Sequence, residues 1–217
     1  MLIAENLYKA YKREPVLRGV SFSVHPGSVM GLCGSNGAGK STLIHIVASI
    51  LPPDSGSLSL MGVPISDQKA YRALIGFVPQ NIALSPNLTV RQNLSFWASM
   101  HGLGGRRLKQ AVDQAAEMAN VTAFLKKPIS RCSGGMAKRA NLAAGLVGDP
   151  KLVLLDEPTA GIDEENRDLI LKTILDLRQK GCMVLVVNHY QNELAAVCDR
   201  IITLKDGQVA QTGIHVW

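Results

Sequence analysis

An α/β fold with a mostly parallel sheet is predicted by three features of this 217-residue sequence. Continuous apolar runs at 29–33, 152–155 and 183–187 have the length and composition of strands buried on both faces. The first run ends in a glycine-rich loop, and residues 41–50 then follow a helical pattern. Between the other two runs, residues 164–180 carry Leu169, Ile170, Thr173, Ile174 and Leu177 at helical spacing, closed by Gly181. Strand, helix, strand in this order predicts a right-handed crossover between parallel neighbours. Residues 56–63 and 74–78 read as further strands.

Two segments depart from this alternation. The N-terminal 25 or so residues and the stretch 200–212 read as antiparallel β, the latter as a hairpin turning at Asp206-Gly207. Residues 87–148 have helical patterns and little strand character. Thr89 and Gln92 form a capping box there, Leu94, Trp97 and His101 continue one face, and Gly102 ends it. Leu108, Ala111, Val112, Ala115 and Met118 mark a second amphipathic helix, and Trp97 reads as a core aromatic. The expected organisation is a single domain over 1–217. Its core, with an N-terminal antiparallel β subdomain, comes from 1–86 and 149–217, and 87–148 is an inserted α-helical subdomain. The chain is expected to close at Trp217, just past the hairpin, with no regulatory domain after it.

Composition narrows the class. With 47% hydrophobic and 18% charged residues the chain is not of the disordered type. No apolar run approaches the ~20 residues that span a bilayer. Glu5 and Asn6 stand where a secretory signal needs an apolar stretch, so the expected location is the cytosol. Cys33, Cys132, Cys182 and Cys198 show neither CxxC nor Cys/His metal spacing and read as reduced thiols. The net charge of +6 is scattered in short clusters, which reads as a solvated basic surface and not as a nucleic-acid track.

The chemistry concentrates in two places. Gly34-Ser35-Asn36-Gly37-Ala38-Gly39-Lys40-Ser41-Thr42 fits G-x-x-x-x-G-K-[ST], the Walker A loop of P-loop NTPases, in the strand–loop–helix context that the motif requires. Its glycines let backbone N–H groups turn around phosphate oxygens, and the helix N-terminus adds positive potential. Lys40 supplies a compact charge for the β- and γ-phosphates of a nucleotide, and Ser41 a hydroxyl for Mg2+. At the end of the run Leu152-Val-Leu-Leu155 stand Asp156 and Glu157. Carboxylates at the carboxyl end of a buried parallel strand face the ligand crevice of such sheets. Asp156 suits the Mg2+ shell, and Glu157 is placed to polarise an attacking water.

With these residues the sequence resembles the ATP-binding cassette (ABC) ATPase family over nearly its whole length. Ser133-Gly134-Gly135, followed by Met136 and Arg139, is similar to the family signature, shortly before the strand that ends in Asp156 and Glu157, which resembles the Walker B strand. Pro79-Gln80 resembles the Q-loop, Ala160-Gly161-Ile162-Asp163 after Pro158-Thr159 the D-loop, and Asn188-His189 the H-loop. Tyr11, upstream of Val16 and Leu17, is similar to the aromatic that stacks on adenine. The resemblance implies that Gln80 reaches Mg2+ or the attacking water and that His189 holds the γ-phosphate. It further implies that Ser133, Gly134 and Gly135 serve the ATP of a second subunit and that Asp163 lies at the dimer contact. Two residues depart from the family pattern, which usually has Leu where Cys132 stands and Gln where Met136 stands. Ser-Gly-Gly-Met resembles a subset found in drug and lipid exporters.

The function implied is that of an ATP-hydrolysing motor subunit of an ABC transporter, with ATP and Mg2+ as cofactors. A second ABC ATPase subunit, as a homodimer, and a separate integral membrane permease are the implied partners, no nucleic acid is expected, and the location is peripheral on the cytoplasmic face of the cell membrane. Exposed apolar groups at 83–88 are candidates for the permease contact. The alternative is a soluble ABC ATPase acting in nucleic-acid maintenance or translation. Against it, the Walker motifs lie close together in one short chain, and there is one cassette, not two. A small-molecule kinase with the same phosphate loop leaves residues 133–136 and His189 unexplained. The transported substrate is not readable, because its pocket lies in another chain.

Overall fold

The computed structural model describes residues 1–214, so Trp217 lies outside the described residues. The central sheet takes β3 (Val29–Gly34), β6 (Ile75–Val78), β7 (Leu152–Asp156), β8 (Met183–Val187), β9 (Arg200–Lys205) and β10 (Gln208–Ile214), in the spatial order β10-β9-β3-β8-β7-β6. All neighbours are parallel except the β9–β10 hairpin. Asp206 (φ 50°) and Gly207 (φ 77°) make its turn, both left-handed as a tight hairpin of this twist requires.

Every side chain of β7 and β8 before Asp156 is buried, and alternate residues face opposite layers. Leu152, Leu154, Met183, Leu185 and Val187 join one hydrophobic cluster, while Val153, Leu155, Val184 and Val186 join the other. The first cluster is shared with α1 (Lys40–Val47) and a second sheet, in which β1 (Leu2–Tyr11), β2 (Glu14–Val24), β4 (Ser55–Leu60) and β5 (Val63–Pro64) run in the order β2-β1-β4-β5, all antiparallel. The other cluster runs into α3 (Val90–Met100), α4 (Gly105–Met118), α5 (Gly134–Leu146), α6 (Glu164–Gln179) and α7 (Gln191–Val197). The parallel sheet is therefore the middle of three layers, as α/β packing dictates.

Some boundaries differ from the sequence reading, each for a local reason. The helix expected over 41–50 stops at Val47, because Ser49 turns left-handed (φ 57°) and its carbonyl accepts from Arg72 Nη2 at 2.6 Å. Arg72 closes the short helix α2 (Gln68–Arg72). The single strand expected over 56–63 is a hairpin, with Met61 (φ 53°) and Gly62 (φ 81°) turning between the paired Leu60 and Val63. His101 does not continue the apolar face of α3; it is exposed and caps the helix. The capping box is present, with Gln92 N donating to Thr89 Oγ1 at 3.2 Å and Thr89 N to Gln92 Oε1 at 2.9 Å. Trp97 packs half-buried against the core, its ring edge-on to Phe96 at 5.5 Å. The four cysteines are unbridged; burial pushes the Cys182 thiol up to about 11 and the Cys198 thiol up to about 12. Among the described residues no helix is long and apolar enough to cross a membrane.

A phosphate-loop cleft at the ends of the parallel strands

The loop 34–39 leaves β3 and opens α1 with Gly39 in the capping position at φ 102°. That backbone conformation favours glycine, and a Cβ there would also stand 2.8 Å from Leu17 Cδ2. No side chain caps α1, and its first turn holds no acidic residue. The first N–H groups of the helix and its positive dipole end are thus left for an anion. Lys40 is 7% exposed, and its ammonium donates to Gly34 O at 2.8 Å and Ser35 O at 2.9 Å. These bonds hold the charge against the loop.

On the neighbouring strand ends, Glu157 follows β7 in a left-handed conformation, φ 48°, which is uncommon away from glycine. Its N–H donates to Val187 O at 2.9 Å, pinning it to β8. Gln80, just past β6, donates through Nε2 to Glu157 Oε2 at 2.7 Å, and His189 Nε2 lies 2.6 Å from Glu157 Oε1. Three chain segments far apart in sequence thus converge on one carboxylate. Burial raises the pKa of Asp156 beside it, and the charge of Glu157 adds to the rise; His45, Lys138 and Lys40 oppose it. A cleft of about 350 Å3 collects Asn36, Gly37, Gly39, Lys40, Ser41, Thr42, Gln80, Asp156, Glu157 and His189, together with Val16. A larger groove of about 1240 Å3 lies elsewhere, lined from α4 and α6, and holds none of these residues. The chemistry, not the volume, marks the smaller cleft as the candidate site.

Residues 17–160 match the family model described as ABC transporter. The chain belongs to the ABC transporter family. It is 41% identical over 214 residues to the linearmycin resistance ATP-binding protein LnrL of Bacillus subtilis (strain 168), covering 98% of this chain and 69% of that protein. Identity to the Nod factor export ATP-binding protein I of Rhizobium etli is 35% over 206 residues, covering 94% of this chain and 65% of that protein. The chain thus spans about two thirds of the length of these relatives. A dimeric post-hydrolysis structure of the ATP-binding cassette MJ0796, bound to ADP and Pi, superposes with a TM-score of 0.88 at 27% identity, covering 99% of this chain and 98% of that one. The protein is an ATP-binding subunit of an ABC transporter and an ATPase, with the α/β architecture its sequence predicts.

Not all the expected site residues of the cassette meet in the cleft. Gly34, Ser35 and Ala38 shape the loop without lining the cleft. Tyr11 stands at the β1–β2 turn, paired with Glu14 and 44% exposed, and is not among the residues that line the cleft, which include Val16. Ser133 and Gly134 are exposed outside the cleft, and Gly135 is buried against the Asn166 side chain. The Ser133 hydroxyl accepts from Met136 N at 3.2 Å and so caps α5 through a lone pair, which leaves its proton to donate. Asp163 caps α6 by accepting from Asn166 N at 2.9 Å; hydrogen bonds from Asn166 hold its carboxyl below the usual range. Arg139 Nε donates to Asn166 Oδ1 at 2.9 Å, which ties the signature helix to the D-loop.

For Mg2+ the test is the donor set. Ser41, Gln80 and Asp156 offer a hydroxyl, an amide carbonyl and a carboxylate at one cleft, the hard oxygen donors that this ion selects. Among the described residues no group of three His, Cys, Asp or Glu side chains could hold a metal by itself.

A second set of residues includes one, Glu193, that carries no motif signal. Thr159 Oγ1 donates to Glu193 Oε2 at 2.5 Å, and Asn188 Nδ2 donates to the same oxygen at 2.8 Å. Asn188 Oδ1 accepts from His189 N at 2.7 Å and Tyr190 N at 3.1 Å. This buried network joins the D-loop approach to the backbone of His189. Thr159 and Asn188 belong to recognisable motifs, but nothing in the local pattern separates Glu193 from any other helix acid.

Proposed function

We propose that this cassette powers an exporter as a homodimer. Two copies close head to tail on two ATP molecules, each nucleotide held by one chain's phosphate loop and by the partner's signature turn, and hydrolysis reopens them. The arrangement of Glu157 between Gln80 and His189 carries this reading, because it sets one carboxylate where an attacking water needs orientation and a proton acceptor. Lys40 and the N-terminus of α1 bind the phosphates, Tyr11 stacks on adenine, and His189 holds the γ-phosphate. Gln80, Ser41 and Asp156 would hold Mg2+, which neutralises charge on the transferring phosphoryl oxygens when bound. Ser133, Gly134 and Gly135 stand outside the cleft, as a role toward a second subunit requires, with Asp163 at the same contact. Export is supported by the names of the two relatives, one for resistance and one for export, and by Ser-Gly-Gly-Met at 133–136. Ile82 (38% exposed), Leu88 (36%), Phe96 (53%) and Met100 (68%) offer an apolar surface to a permease on the cytoplasmic membrane face. Leu84, within the expected 83–88 contact, is buried instead.

The test is Glu157→Gln, which keeps size and hydrogen bonding and removes the basicity. It is expected to retain ATP binding, lose about 10²–10⁴-fold in turnover, the usual worth of a positioned base, and accumulate as an ATP-bound dimer. Size-exclusion chromatography with ATP, beside a phosphate-release assay, reads both. Wild-type turnover with no ATP-dependent dimer removes Glu157 as the base. Loss of ATP binding places it among the metal ligands.

A further inference from the structure

Helix α5 grips the Q-loop of its own chain. Lys138 Nζ donates to Gln80 O at 2.6 Å and reaches Glu157 O at 3.4 Å. Three residues on, and so on the same helix face, Asn141 is 3% exposed. Its Nδ2 donates to Pro79 O at 3.2 Å, and its Oδ1 accepts from Ala83 N at 3.0 Å. Residues 79–83 follow β6 outside any strand ladder, and two side chains of one helix meet the backbone of Pro79, Gln80 and Ala83. The same helix begins at Ser133, the turn that faces a second subunit in the reading above. Burial lowers the pKa of the Lys138 ammonium, while the charges of Glu157 and Asp156 favour it.

We propose that Lys138 and Asn141 are positioning residues that lock Gln80 and Glu157 to the signature helix, so that docking of residues 133–135 on a second subunit's nucleotide sets the geometry of this chain's own catalytic groups. The proposal rests on the roles given to Gln80 and Glu157 above. Neither side chain touches the phosphate loop, so loosening the clamp leaves substrate affinity intact and misplaces the reacting water and the metal ligand. A displacement of 1 Å at such a site costs on the order of 10²-fold in rate.

The experiment measures steady-state ATPase activity with ATP and Mg2+ titrations, equilibrium ATP binding and melting temperature for wild type, Lys138→Met, Lys138→Arg, Asn141→Ala and Glu157→Gln. Lys138→Met is expected to lower kcat by about 10- to 100-fold, leave KM for ATP within about twofold, and raise the Mg2+ concentration for half-maximal rate. Lys138→Arg, which keeps a cation and donors, restores most of the rate. Asn141→Ala moves kcat and the Mg2+ requirement in the same direction. Wild-type kcat and Mg2+ dependence in Lys138→Met and Asn141→Ala, with Glu157→Gln inactive, overturns the clamp and spares the catalytic assignment. Equal losses in ATP binding, melting temperature and kcat, unrescued by Lys138→Arg, reduce both residues to packing and overturn it as well. Full turnover in Glu157→Gln overturns the catalytic assignment and the clamp with it.

Discussion

Glu193 is an acid at 6% exposure, a position that is costly for a carboxylate unless its oxygens are bonded. Thr159 and Asn188 both donate to Oε2, and Arg167 Nε lies 3.9 Å from Oε1. Removing the acid leaves the buried Thr159 hydroxyl without its acceptor and the Asn188 amide with Thr159 Oγ1, at 3.1 Å, in place of two acceptors. Glu193→Ala is therefore expected to destabilise the fold by about 1–3 kcal/mol, the cost of unpaired buried donors, and Glu193→Gln by less, since its carbonyl still accepts. Urea unfolding midpoints of the two variants decide the matter; an unchanged midpoint in Glu193→Ala shows that Thr159 and Asn188 find new partners. Since Asn188 also accepts from the N–H of His189, the same variant tests whether the H-loop depends on a residue that touches no phosphate.

Helix caps link the elements to the chemistry. Thr89, Ser133 and Asp163 each cap a helix with a side-chain oxygen, and the last two stand at candidate dimer contacts. Ser133→Ala removes the cap of α5 and is expected to cost about 1 kcal/mol, to spare ATP binding by the isolated chain, and to lower turnover. Ser133→Asp separates the two roles: it caps as well as Ser but sets a negative charge toward the phosphate of a second subunit. Thermal melts are expected to recover in Ser133→Asp while phosphate release stays low. Recovery of both would confine Ser133 to capping; loss of ATP binding by the monomeric Ser133→Ala would place the turn in its own chain's cleft.

At the scale of the molecule, helices 90–146 have no core separate from the sheet. Leu94, Ala98, Val112 and Leu142 belong to the same cluster as Val153, Leu155, Val184 and Val186. The helix that begins at the signature turn thus packs on the sheet that carries Asp156. Because residues 133–135 lie outside the cleft, one chain completes only half of the site proposed for it. The ATPase rate is expected to rise more than linearly with protein concentration, measured as phosphate release across a dilution series with the mass followed by light scattering. A strictly linear rate from a protein that stays monomeric would show that a single chain hydrolyses ATP unaided.

The sequence by itself determined the features whose physics is local. A phosphate loop needs glycines at fixed offsets beside a lysine, strands buried on both faces need uninterrupted apolar residues, and a capping box and an Asp-Gly hairpin are written in consecutive residues. Each of these is found where the sequence places it, from Lys40 and Asp156 to Thr89 and Gly207. The left-handed Met61 and Ser49 were not legible, because neither is a residue that local sterics send there; the Leu60–Val63 pairing and the Arg72 contact hold them. Strand order, the shared core and the partners of Lys138, Asn141 and Glu193 were decided only by the tertiary structure. The bonds from Lys138 and Asn141 to the Q-loop span 58 and 62 residues, and no pattern within a helix records which backbone carbonyl its packing will bring within reach.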